Sequence, residues 1–374
     1  MEKVELNQGF LERWGIQVIY KDFNKIRKQF ILADIDRFYE NSKSIIYFAT
    51  ILSFFIGLIP TAIIVYIESS FSHETIPWSN PFYEKWTWII SALGIFTFLE
   101  FYFLYRVGFY SVAKLACLSG MSIDDDPIIL TKNKNILARM VLEIPDHRLK
   151  LLGVDPYKRL NKKGLFFRTI LYKSKVFLSN YAAKLIFRKI LSRTTLRVYA
   201  EYIIAPVTGV WDALITYYIL EKMKIRLFTR NLTELYFEHF LETAETMDNE
   251  VIDLNIRAIA NAVVLDKKFH PNLEYLLLKM YDRFEDRINK NDPIDDWDNF
   301  LIRVDNLSQD KQLKVLKTFN LCLSMIGKLS KYEKNAINDS KLLSSKENIQ
   351  NIQTLIGLMQ EGNFSKLKEQ ILSI

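Results

Sequence analysis

The chain has 374 residues, 50 Lys+Arg against 43 Asp+Glu and a net charge of +7. Hydrophobic residues make up 49 %, which excludes intrinsic disorder, and charged residues make up 25 %, which excludes a chain embedded entirely in lipid. Twelve Gly and nine Pro are too few for the frequent turns of a β protein. Two cysteines, Cys117 and Cys322, exclude a disulfide framework or a Cys-rich zinc site.

Residues 1–43 read as a cytoplasmic amphipathic segment. Ile16, Ile19, Phe23, Ile26 and Phe30 step by three and four, which is one face of a helix packed on the protein or laid along a bilayer. Ser44 to Ile67 then gives 24 residues without a charge, about 36 Å of helix against a hydrocarbon core of about 30 Å. Trp86 to Tyr105 is a second apolar run, with Glu100 its one charge and Trp86 and Trp88 placed for an interfacial belt. The expected unit is a transmembrane hairpin over 44–110, with spans 44–67 and 86–106. Lys25, Arg27, Lys28, Arg37 and Lys43 precede it, and Arg106, Lys114, Lys132 and Lys134 follow it, whereas the linker carries Lys85 alone among bases. By the positive-inside rule both termini are expected in the cytoplasm. The first apolar run begins too late for a cleaved signal peptide.

The second helix is expected to run on to Gly120. Asp124-Asp125-Asp126-Pro127, Asp155-Pro156 and Asp292-Pro293 read as helix starts, with Asp capping free amides and Pro fitting the first turn. Pro156 to Ala200 holds twelve bases and no acid, among them Lys162, Lys163, Arg168, Lys173, Lys175, Lys184, Arg188, Lys189, Arg193 and Arg197. The bases alternate with Phe166, Phe167, Ile170, Leu171, Phe177 and Leu178, so 111–230 reads as a basic amphipathic region fitted to anionic lipid headgroups, or to the acidic residues further on.

Within it, Tyr202 to Leu220 is apolar apart from Asp212. A carboxylate at the centre of a spanning helix costs about 2.5–3.5 kcal/mol, and a third crossing would carry the C-terminal part outside. A buried or surface-lying helix is therefore expected there. Residues 231–310 hold eighteen acids and eight bases, and the helical pattern continues in 231–374, an acidic domain. Glu234, Glu238 and Glu242 form an i+4 column that reads as a solvated face. Short helices are expected near Ile349–Met359 and Lys366–Ile371.

Two segments resemble the bacterial EcsC-type proteins. Leu104–Pro127 carries Arg106, then Ala116-x-x-x-Gly120 and the acidic turn at Asp124–Asp126, and Ile203–Arg226 carries Pro206-x-x-Gly209 at the head of an apolar helix. The resemblance implies association with a bacterial membrane, an accessory role beside transporters and no catalytic residues. Ile256–Phe284, with Asp266 and His270-Pro271 between two helices, resembles the helical TerB-like fold.

Gly-x-Ser-x-Gly, the Walker lysine loop, His-Glu-x-x-His and Gly-x-Gly-x-x-Gly are all absent, and His73, His147, His239 and His270 are scattered. The expectation is a non-enzymatic, all-α protein of the bacterial inner membrane, without metal or cofactor. It would dock on anionic lipid, recruit a protein partner rather than nucleic acid, and act as a scaffold. The alternative is an oligomeric pore or transporter accessory subunit that uses Glu100, with Asp212 a second intramembrane polar group.

Overall fold

The computed structural model describes residues 10–27, 35–70, 80–121, 149, 152–155, 197–265, 270–289 and 292–374. Among them there is no strand. Three helices are long and apolar enough to cross a membrane, rather than the two expected.

Helix α1 (Phe10–Arg27) buries Ile19, Phe23 and Ile26, the stripe read from its spacing. It packs on protein, against the far half of α3. The Trp14 ring meets Tyr102, Tyr105 and Phe109 at 5.6–6.3 Å, and Asp22 takes a two-pronged ion pair from Arg106. Phe30 lies outside the described residues.

Helix α2 (Phe38–Ser69) and helix α3 (Asn80–Leu118) contain the two expected spans. Helix α3 ends as the sequence predicts. Gly120 takes a φ of 73°, and the amide of Met121 returns to the carbonyl of Ala116, a left-handed closure that glycine adopts without strain.

Tyr202 to Leu220 is helical and buries Ala205, Thr208, Asp212 and Leu220. It belongs to α4 (Arg197–Ala244), a 48-residue helix that lies antiparallel along α2 instead of on a surface. Pro206 sits in its third turn and donates no intrahelical bond there. Helices α3 and α4 also run unbroken past residues 110 and 230, where the sequence reading set domain edges.

The remaining helices follow α5 (Asn249–Leu265), which is buried from Val251 to Leu265. They are α6 (Pro271–Phe284), a short 3-10 turn (Glu285–Arg287), α7 (Trp297–Asp305), α8 (Gln309–Ser324), α9 (Lys331–Asp339), α10 (Lys346–Glu361) and α11 (Phe364–Leu372). Helices α5 and α6 occupy the place of the expected TerB-like pair; Asp266 lies outside the described residues. Asn272 pins α6 to α4 by donating to the carbonyl of Arg226 and to Thr229 Oγ1, both at 2.7 Å.

The start expected at Asp292-Pro293 is not used. Helix α7 opens at Trp297, capped by Asp296, whose carboxylate accepts from the amide of Asn299 at 3.2 Å. The carbonyls ahead of it are committed to Arg257, which donates to those of Asn289 and Pro293 at 2.9 and 2.8 Å. Arg257 is buried beside Asp253, which also takes Arg303.

One hydrophobic core joins both parts of the molecule. Phe38, Ile45 and Ile46 of α2, Phe109 to Leu118 of α3 and Leu220 to Phe240 of α4 share it with α5 to α11. The C-terminal helices close on the start of α2: Tyr39 donates to the carbonyl of Met359 at 2.7 Å, and its ring meets Phe228 at 5.0 Å.

Candidate functional site

The apolar helices divide by exposure along their length. Tyr47, Phe48, Ile51, Phe55, Ile59 and Tyr66 of α2 stand exposed, as do Trp86, Trp88, Ile90, Ile95 and Phe98 of α3 and Val210, Leu214 and Tyr218 of α4. Phe48 is 69 % and Phe98 70 % exposed. Water-soluble monomers rarely present apolar patches beyond a few hundred Å². Toward the shared core the same helices are covered on most sides.

The interior of this bundle is polar at its seam. Ala49, Ser53, Gly57, Thr61 and Val65 recur every fourth residue on α2 and are buried, and they face Ala205, Thr208, Gly209, Asp212 and Thr216 of α4. The residues are small because the backbones nearly touch. A Cβ at Gly209 would lie 2.7 Å from the carbonyl oxygen of Phe54, and one at Gly57 would run into the Asp212 carboxylate. Small faces of this kind let helices associate in lipid, where packing and hydrogen bonds replace the hydrophobic effect. The hydroxyls of Thr208 and Thr61 lie 3.1 Å apart, and Thr216 donates to Ser53 at 2.9 Å.

Both acids singled out from the sequence are inside the bundle. Glu100 has no exposure and Asp212 has 2 %. Helices α3 and α4 run in the same direction and touch where Asn231 donates to the carbonyl of Ser119 at 3.0 Å. Glu100 lies 19 residues before Ser119, and Asp212 lies 19 residues before Asn231, so that register brings the two acids to about one level. Sequence reasoning found the acids but missed the seam. Its signal was the four-residue spacing of Ala49, Ser53, Gly57 and Thr61.

Of the residues expected to bind lipid headgroups, Lys162, Lys163, Arg168, Lys173, Lys175, Lys184, Arg188, Lys189 and Arg193 lie outside the described residues, as do Asp124 to Asp126. Arg197 is the first residue of α4.

The Glu column on α4 divides. Glu234 bridges Arg230 at 3.0 Å and Lys279 at 2.6 Å, while Glu238 and Glu242 are exposed. Among the described residues no three His, Cys, Asp or Glu side chains gather as they would around a metal ion. Cys322 is fully buried, and burial pushes its thiol pKa up. No family model, curated protein or solved structure matches the chain.

Proposed function

We propose that the protein is a non-enzymatic scaffold of the bacterial inner membrane. Helices α2, α3 and α4 lie in the bilayer, and their ends build the core of a cytoplasmic helical body that recruits a protein partner. The observation that carries this reading is the change in exposure along single unbroken helices, from bare aromatic faces to a covered core. The EcsC-type outline, with its accessory role at membranes, supports the same reading. Anionic headgroups are the counterpart of the twelve bases between residues 156 and 200.

Two measurements test this. After an alkaline carbonate wash the full chain should stay in the membrane pellet, and release into the supernatant would refute membrane integration. Purified protein in nanodiscs should unfold at a higher temperature with anionic than with zwitterionic lipid. Equal values would remove the headgroup contact from the proposal.

A second reading is favoured by one observation, the burial of Glu100 and Asp212 in the bundle. Intramembrane acids mark proton or ion paths in many proteins. A pore or transporter accessory subunit would lose proton flux across proteoliposomes on Glu100→Gln, and a scaffold would show none to lose.

A further inference from the structure

The structure gives α4 a direction that the chain order does not suggest. Two hydroxyl contacts set its register on α2: Ser53 with Thr216, and Thr61 with Thr208. In each pair the residue numbers add to 269. Carried along both helices, the register sets Ile203 opposite Tyr66 and Ile225 opposite Ser44. The apolar run of α2, Ser44 to Ile67, is therefore matched end to end by α4.

The pairing holds toward the shared core, where the Phe228 ring meets Tyr39 at 5.0 Å. Asn231 falls opposite Phe38, and Asn231 is the residue that binds the end of α3 at Ser119. Met121 follows two residues later. Between Ile203 and Asn231 lie 28 residues of helix, about 42 Å. That exceeds the hydrocarbon core of about 30 Å.

We infer that α4 crosses the membrane antiparallel to α2, so that Arg197 and Glu201 share a side with Ser70, opposite Met121 and the helices from α5 onward. This rests on the membrane-spanning reading of α2 proposed above. The charge pattern of α4 is that of a spanning helix. Arg197 and Glu201 stand before the apolar run, Glu221, Lys222 and Lys224 stand after it, and Asp212 is the one charge between. Charges at both ends and a single acid, sequestered at a helix contact, are what a spanning segment tolerates.

The test uses the full chain in sealed membrane vesicles and a membrane-impermeant maleimide. Four variants, each adding one cysteine, are compared: Ser70→Cys at the end of α2, Lys328→Cys beside the shared core, and Arg197→Cys and Glu201→Cys at the start of α4. The native thiols Cys117 and Cys322 are buried, and the unmodified chain gives their background. Arg197→Cys and Glu201→Cys should be labelled from the face that labels Ser70→Cys, and Lys328→Cys from that face only after permeabilisation. Labelling of Arg197→Cys and Glu201→Cys together with Lys328→Cys would overturn the inference and leave α2 as a span. Labelling of Ser70→Cys and Lys328→Cys from one face would overturn the membrane-spanning reading itself.

Discussion

Replacing Gly209 with Ala tests whether α2 and α4 depend on backbone contact. The added methyl would stand 2.7 Å from the carbonyl oxygen of Phe54 and 3.0 Å from its ring. A backbone carbonyl inside a helix does not yield as a side chain does, so the helices must part by about 0.7 Å to reach ordinary contact. Overpacking of this kind costs about 1–3 kcal/mol. The hydroxyl pairs Thr208–Thr61 and Thr216–Ser53 stretch with it, at about 0.6 kcal/mol for each interhelical bond lost in a membrane. Against this, Ala gains about 1 kcal/mol over Gly in helix propensity. The net loss is about 1–3 kcal/mol. Gly94→Ala on α3 is the control, because an added methyl there meets nothing within 4 Å. It keeps the propensity gain and should be neutral or stabilising. Thermal unfolding of the two variants in detergent should move in opposite directions. Equal shifts, or a stabilised Gly209→Ala, would refute close backbone contact at this seam.

Two further predictions concern the shared core. Arg257→Met removes three donors and leaves Asp253 buried with Arg303 and the amide of Asn289, and breaking one side of a buried pair costs about 3–5 kcal/mol. Its unfolding temperature should fall well below that of exposed Arg283→Met, and a matching pair of values would refute the clamp. Cys322 should not react with Ellman's reagent at about pH 8 until the chain unfolds, because burial pushes its pKa above the ordinary value of about 8.5. Above that pH the unfolded thiol releases its proton and the native one keeps it. Stability should therefore fall as pH rises there, and a Cys322→Ala variant should lose that part of the slope.

The sequence made the two most apolar helices legible because each carries a long run with at most one charge. The stripe on α1, the stop at Gly120 and the last two helices were legible for similar local reasons. The place of α4 was not. Asp212 counted against insertion when its cost was charged to an isolated helix. In the structure that carboxylate is buried against Gly57, so part of its surroundings comes from a helix about 150 residues earlier. The start of α7 was missed for a related reason. Asp292-Pro293 has the local chemistry of a helix start, but Arg257, 35 residues before, takes the surrounding carbonyls and moves the start to Asp296.

Parity counts against a third crossing only if each apolar helix begins where the previous one ends. Helix α4 instead meets Thr61 of α2 with its early residue Thr208, and Ser119 of α3 with its later residue Asn231. Its C-terminal half then supplies Leu227, Phe228, Leu232, Tyr236 and Phe240 to the core shared with α5 to α11. A single helix thus lies against the bundle seam at one end and holds the C-terminal helices at the other. With no loop between those ends to absorb a displacement, a partner that tilts the C-terminal helices must also shift Asp212 against Gly57.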